Sequence, residues 1–138
     1  MWWIYALLSA LFAALTAIFA KIGIKNINSD LATAIRTLVI LIIAWVIVIA
    51  KGEYKGLSTI SKHTLTFLIF SGISTGISWI FYFKALQLGA VSKVAPIDKL
   101  SVALAIVLSV LFLNEALSWQ MMLGGGLIIA GTLVLILL

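Results

Sequence analysis

The sequence has no cysteine, one histidine and one proline. Without cysteine there is no disulfide, no thiolate nucleophile and no Cys-based metal site. The single histidine, His63, falls in a polar stretch between apolar runs and reads as a solvated loop residue. Charge is also scarce. Asp, Glu, Lys and Arg make up 9% of the 138 residues, against roughly 25% in soluble domains. A chain this poor in charge cannot cover itself with polar surface, so its solvent is a bilayer. The sequence also lacks H-E-x-x-H, G-x-S-x-G, a phosphate-binding P-loop and any cluster of His or acidic ligands. Ser101 and Lys99 are two residues apart, on different faces of a helix, which argues against an intramembrane Ser–Lys protease. The expectation is a protein that is not an enzyme, with no cofactor and no metal.

What the sequence does contain is apolar: 64% of residues are hydrophobic and the mean hydropathy is +1.31. The formal net charge of +5 comes mainly from lysines between apolar runs. There they meet lipid headgroups, so the surplus does not read as a nucleic-acid footprint. A span needs about 20 mainly apolar residues. On that rule we expect one transmembrane domain over residues 1–138, with spans at about 2–20, 31–50, 64–86, 92–113 and 118–138. The first run lacks a basic leader and reads as a retained span rather than a signal peptide. Ser29 and Asp30 are candidate caps for the second. Five spans leave the termini on opposite sides. Near the surface, Lys21, Lys25, Lys84 and Lys93 lie on one side, against Lys51, Lys55, Lys62 and the N-terminal amine on the other. Arg36 and Lys99 add two deeper charges to the first side. The positive-inside signal is therefore weak, and insertion in both orientations is one reading of it.

Residues at i, i+4, i+7 and i+11 share a helix face. In the third span Ser71, Thr75, Ser78 and Tyr82 form such a stripe. Gly72, Gly76 and Trp79 lie beside it. Ser9 and Thr16 align in the first span, and Asp98, Ser101 and Ser109 share a sector of the fourth. Lipid offers hydroxyls no partner, so these faces point to protein, to a cavity, or to their own backbone. In the last span Gly124 and Gly131 face one way, and Gly126 pairs with Ala130 in a small-x-x-x-small step. Thr132 is the one polar side chain between Met121 and Leu138. This reads as a packing helix that meets either its own chain or a second copy.

The fourth span opens on Pro96, Asp98 and Lys99. Three readings are open. The helix starts at Pro96, with Asp98 favouring its positive end. Alternatively it starts near Ser92, and Pro96 frees a carbonyl inside the membrane, where irregular backbone lines cavities. In the third reading Asp98 pairs with Arg36 or Lys99 at the mouth of a polar cavity. The second and third are compatible, and an intramembrane ionisable group is a functional candidate by default. Surplus positive charge there would favour carboxylate- or phosphate-bearing solutes.

These residues resemble a known family. The step Ala85, Leu86, Gly89 is followed by Ser92, Ala95 and Pro96. Then comes Leu-Ser-x-Leu-Phe-Leu-x-Glu over residues 108–115, and a glycine-rich last helix. Together these are similar to the C-terminal half of an EamA domain of the drug/metabolite transporter superfamily. Residues 29–42 and 71–86 fit the same pattern. The resemblance implies an all-α membrane protein built as a five-transmembrane-helix EamA-type bundle. Most such transporters fuse two inverted units into ten helices around a central cavity. A single unit is then expected to pair as an antiparallel homodimer, with the last helices in contact. The last helix also resembles that of small multidrug resistance transporters, where glycines at the spacing of Gly124 and Gly131 serve dimerisation. Those proteins use a membrane glutamate, whereas the acidic residue at depth here is Asp98, beside Lys99. Glu115 fits the EamA pattern but sits in a tight turn.

The expected function is a secondary transporter, in the inner membrane, of small organic metabolites such as amino acids. Its expected partners are membrane lipid, a small-molecule solute and an inverted copy of itself, with no nucleic acid. Its cavity candidates are Ser9, Thr16, Arg36, Ser71, Thr75, Ser78, Trp79, Tyr82, Pro96, Asp98, Lys99 and Ser101. Its packing candidates are Gly72, Gly76, Gly124, Gly126 and Gly131. A lipid or lipid-linked sugar flippase subunit and a non-transporting membrane subunit are the competing readings.

Overall fold

A computed structural model describes residues 1–137. Among them every regular element is a helix: α1 (Trp2–Gly23), α2 (Ser29–Ala50), α3 (Lys62–Leu88), α4 (Val91–Asp98), α5 (Leu100–Leu113) and α6 (Trp119–Leu137). Short 3₁₀ turns at Ile24–Asn26 and Glu53–Thr59 follow α1 and α2. Five segments are long and apolar enough to cross a membrane, with α4 and α5 together making the fourth, Val91–Leu113. Helices are the expected outcome for such runs, because in hydrocarbon each backbone N–H and C=O must find its partner within the segment. The protein is a multi-pass membrane protein with an all-α, five-span architecture.

Polar residues mark the helix ends. Asn28, not Ser29 or Asp30, caps α2: it holds an extended conformation, and its Oδ1 accepts from Asp30 N at 2.7 Å and Leu31 N at 3.4 Å. Ser29 falls inside the helix instead and is buried. Ser61 Oγ accepts from Thr64 N at 3.1 Å at the start of α3, and Ser118 Oγ from Met121 N at 3.2 Å at the start of α6. Each cap satisfies an N–H that the first helical turn leaves open. Among the described residues, Gly52 after α2 (φ 70°) and Asn114 after α5 (φ 53°) take left-handed backbone. Asn is the non-glycine side chain best suited to that region. The Asn114 and Glu115 amides both reach back to Ser109 O, which closes α5.

The chain divides into two compact units, residues 1–18 with 88–138, and residues 19–87. In the first, α6 packs on α4 and α5. Gly125 is buried there, and a Cβ at its position would lie 3.5 Å from Ile106 Cδ1. In the second, the end of α3 is tied to the connection between α1 and α2. Lys21 Nζ donates to Leu86 O, and Gln87 Nε2 donates to Ile24 O at 3.3 Å and Ile27 O at 2.8 Å. Those are carbonyls that the helix ends would otherwise leave bare in a poorly hydrated layer. The largest fully buried side chains, Phe83, Ile24 and Leu86, all belong to this second unit. Elsewhere large apolar side chains are exposed along every span, as a lipid-facing surface requires.

Candidate functional site

The fourth span is not one helix. It starts at Val91, after Ala90 in extended conformation, so Pro96 is internal and the start at Pro96 is not what forms. Proline offers no N–H to the carbonyl of Ser92, four residues back, and its ring crowds that carbonyl. The helix tightens just beyond. Lys99 N–H is shared between Ala95 O (3.3 Å) and Pro96 O (3.1 Å), and Val102 N bonds Lys99 O at 3.0 Å, a 3₁₀-type step. Regular α-helical pairing is therefore broken at Lys99, eight residues and about 12 Å into the span. Asp98 and Lys99 sit at that break, with Lys99 Nζ 3.4 Å from Asp98 Oδ2. Of the two partners considered for Asp98, Lys99 is the one it meets.

From α6, Thr132 reaches the same break. It is 4% exposed, and its hydroxyl lies 3.2 Å from Pro96 O and 2.8 Å from Ile128 O. The one polar side chain between Met121 and Leu137 of this helix thus points at the discontinuity of its neighbour. Sequence reasoning noted Thr132 but treated α6 as a smooth packing surface. The missing step was to ask where a solitary hydroxyl in hydrocarbon would find a partner. Ser109 bonds its own backbone, at Ile106 O (3.0 Å), and Ser101 is exposed. Along α5 and α6, Leu100, Ala103, Leu104, Val107 and Ile129 line an apolar groove of about 280 Å³. Ser9 is exposed and Thr16 half-buried on α1.

The second unit holds a different arrangement. Arg36 lies in the second turn of α2, seven residues and about 10 Å from its start. Its guanidinium carbon is 4.3 Å from the Trp79 ring centroid and 4.9 Å from that of Phe83. Trp79 and Phe83 are one turn apart on α3, so both rings sit on one face and flank the cation. Tyr82 is close enough to interact with it electrostatically. Arg36 Nη1 is buried and has no hydrogen-bond partner among the described residues. The ion pairs among those residues are Lys51–Glu53 and Asp98–Lys99, and Arg36 belongs to neither. The structure thus brings together three of the predicted cavity residues, Arg36, Trp79 and Tyr82, and adds Phe83, which the sequence presented as an ordinary apolar residue.

The hydroxyl stripe of α3 is exposed at Ser71, Thr75 and Ser78, and Thr75 Oγ1 bonds its own backbone at Ser71 O, 2.9 Å away. The predicted packing glycines are open as well. A Cβ built on Gly72, Gly76, Gly124, Gly126 or Gly131 meets nothing within 4 Å among the described residues. The glycine that packs closely inside the chain is their neighbour Gly125.

Compared with known proteins, residues 1–137 match the model of the EamA-like transporter family. The chain belongs to that family. It is 52% identical over 134 residues to an uncharacterized transporter encoded in the cobO 3′ region of a Sinorhizobium species, covering 97% of this chain and 95% of that one. It is 33% identical over 132 residues to an uncharacterized protein of Methanocaldococcus jannaschii, covering 96% and 93% of the two chains. No solved structure matches. With five spans and this family membership, the protein is a membrane transporter.

Proposed function

We propose that this EamA-family protein is a secondary carrier of small organic metabolites such as amino acids. It works by alternating access around a central cavity that a second, inverted copy completes. The observation that carries this reading is the broken fourth span. A helix interrupted at depth by Pro96, with Asp98 and Lys99 at the break, is costly unless it serves binding or movement. A break held by one threonine hydroxyl is also a natural place for the span to flex. Two further facts support the inverted copy. Both relatives are matched over nearly their whole length by this one five-span unit, and the loop charges are nearly balanced between the two sides.

The test is counterflow. Purified protein in proteoliposomes preloaded with a mixture of unlabelled amino acids should take up the matching labelled amino acid faster than protein-free vesicles. Failure of every amino acid and related carboxylate to exchange would remove the substrate class. A lipid flippase subunit is the second reading, favoured by the apolar groove along α5 and α6, which has the character of an acyl-chain seat. Scrambling of a fluorescent phospholipid by the same vesicles, without solute exchange, would select it.

A further inference from the structure

Arg36 presents an uncompensated charge. In water a lone arginine is unremarkable, but inside a span it must be neutralised or the helix is destabilised. The ring faces of Trp79 and Phe83 supply part of that, because a cation over an aromatic face meets the negative side of its quadrupole. They supply no acceptor for the guanidinium N–H groups. Nη1 has none among the described residues, and a buried donor without a partner costs more than a made bond returns. The charge and the unmet donors are what an incoming anion would satisfy.

The shape of the group narrows the anion. A guanidinium is a planar fork that matches a carboxylate through two parallel N–H···O bonds. Trp79 and Phe83 lie against it and limit how far it can swing. The charge arithmetic points the same way. Arg36 belongs to no ion pair among the described residues and carries a single positive charge. One carboxylate cancels it. A phosphate monoester carries about −1.5 to −2 at neutral pH and would leave an unmatched negative charge among apolar side chains.

We infer that Arg36, held between Trp79 and Phe83, is the carboxylate-binding element of this carrier, so that the transported solute is an organic carboxylate seated by its anionic end. Trp79 and Phe83 are positioning residues that hold the guanidinium plane. The inference rests on the carrier reading for the word "transported", but the binding step can be measured alone.

The experiment uses full-length protein in lipid nanodiscs with Trp79 as its sole tryptophan (Trp2, Trp3, Trp45 and Trp119 replaced by Phe). Sodium butyrate, neutral butyramide, butylammonium chloride and inorganic phosphate are titrated while Trp79 emission is followed. Butyrate should give a saturable change, at least tenfold tighter than butyramide or phosphate, and butylammonium should give none. Arg36→Gln should abolish the butyrate response, and Arg36→Lys should retain a weaker one. A circular-dichroism melt within a few degrees of the parent shows that each variant is folded. Equal responses to butyrate and butyramide, tighter binding of phosphate, or an undiminished response in folded Arg36→Gln would each overturn the inference. So would conversion of Arg36→Gln to monomers with no butyrate effect on the parent, because the anion would then be a carboxylate of a second copy. Butyrate binding without counterflow would retain this inference and remove the carrier reading. Counterflow unaffected by Arg36→Gln would do the reverse.

Discussion

Thr132→Val tests whether the break in the fourth span is held from α6. Valine keeps the shape of threonine and removes the hydroxyl. Two contacts are lost, to Pro96 O at 3.2 Å and to Ile128 O at 2.8 Å. One proton serves both acceptors, so this is a shared bond rather than two full ones. Pro96 O also keeps the Lys99 amide at 3.1 Å, so no carbonyl is orphaned. The expected cost is therefore that of one interhelical hydrogen bond in a membrane, about 0.6 kcal/mol and at most about 1.7. That is roughly threefold, and at most about eighteenfold, in an opening equilibrium. Hydrogen exchange in nanodiscs reads it locally, because amides of residues 97–101 should exchange faster by that factor in Thr132→Val. Thr132→Ser keeps the hydroxyl and should leave them unchanged. If exchange at residues 97–101 stays at the wild-type rate while α6 itself loosens, the hydroxyl serves only Ile128, and the break is not held by Thr132.

Gly125→Leu should lower the unfolding stability measured in mixed micelles by about 1–3 kcal/mol through overpacking, because a Cβ there already lies 3.5 Å from Ile106. Gly124→Leu and Gly131→Leu should leave that stability unchanged, since a Cβ there meets nothing within 4 Å among the described residues, yet should halve the particle mass in detergent; an unchanged mass would reject α6 as the seam between copies. A single cysteine at position 55, Lys55→Cys, should react with impermeant maleimide from both sides of the membrane in a mixed population, and labelling from one side alone would end the dual-orientation reading. Asp98→Asn should reduce folded yield more than Asp98→Asn combined with Lys99→Gln, because the single change leaves Lys99 uncompensated at the break; a double-variant loss equal to the sum of the two single losses would show that the 3.4 Å pair carries no coupling.

The spans were legible because hydropathy and length decide them, and the bilayer leaves the backbone no alternative to helix. Helix ends were less so. Asn28 was passed over for Ser29 and Asp30 because all three are good caps by type, and only backbone conformation separates them. The charges at Pro96, Asp98 and Lys99 were visible, but the choice between a late start and a broken helix was not. It depends on Val91–Ala95 continuing the helix upstream of the proline, and apolar composition is silent on that. Arg36 and Trp79 were each singled out, but their contact was not foreseen. It needs the register between two helices, and Phe83 looks like any lipid-facing aromatic until that register is known. The contact within the chain was not legible either, because GGG at 124–126 offers three positions equivalent in sequence and the rotation of α6 turns the middle one toward Ile106.

A lysine and an aspartate adjacent in sequence compensate each other within one helix turn wherever the surrounding helices lie. The Asp98–Lys99 contact thus needs no other helix to bring its two partners together. Arg36 has no such neighbour in sequence: residues 31–50 of its span contain no carboxylate. The carboxylate of α2, Asp30, lies six residues away and forms no ion pair with it among the described residues, and α3 brings the Trp79 and Phe83 rings and Tyr82, none of them a carboxylate. On the carrier reading proposed above, the Asp98–Lys99 pair keeps its charge constant through the cycle, while the arginine gains a partner when solute binds. Cancelling the arginine with an internal acid should therefore cost transport rather than folding. Thr75→Glu places a carboxylate one turn before Trp79 on α3, and it should yield a stable protein that no longer responds to butyrate. A variant that folds equally well and still binds butyrate would show that the arginine's charge is not what recruits the anion.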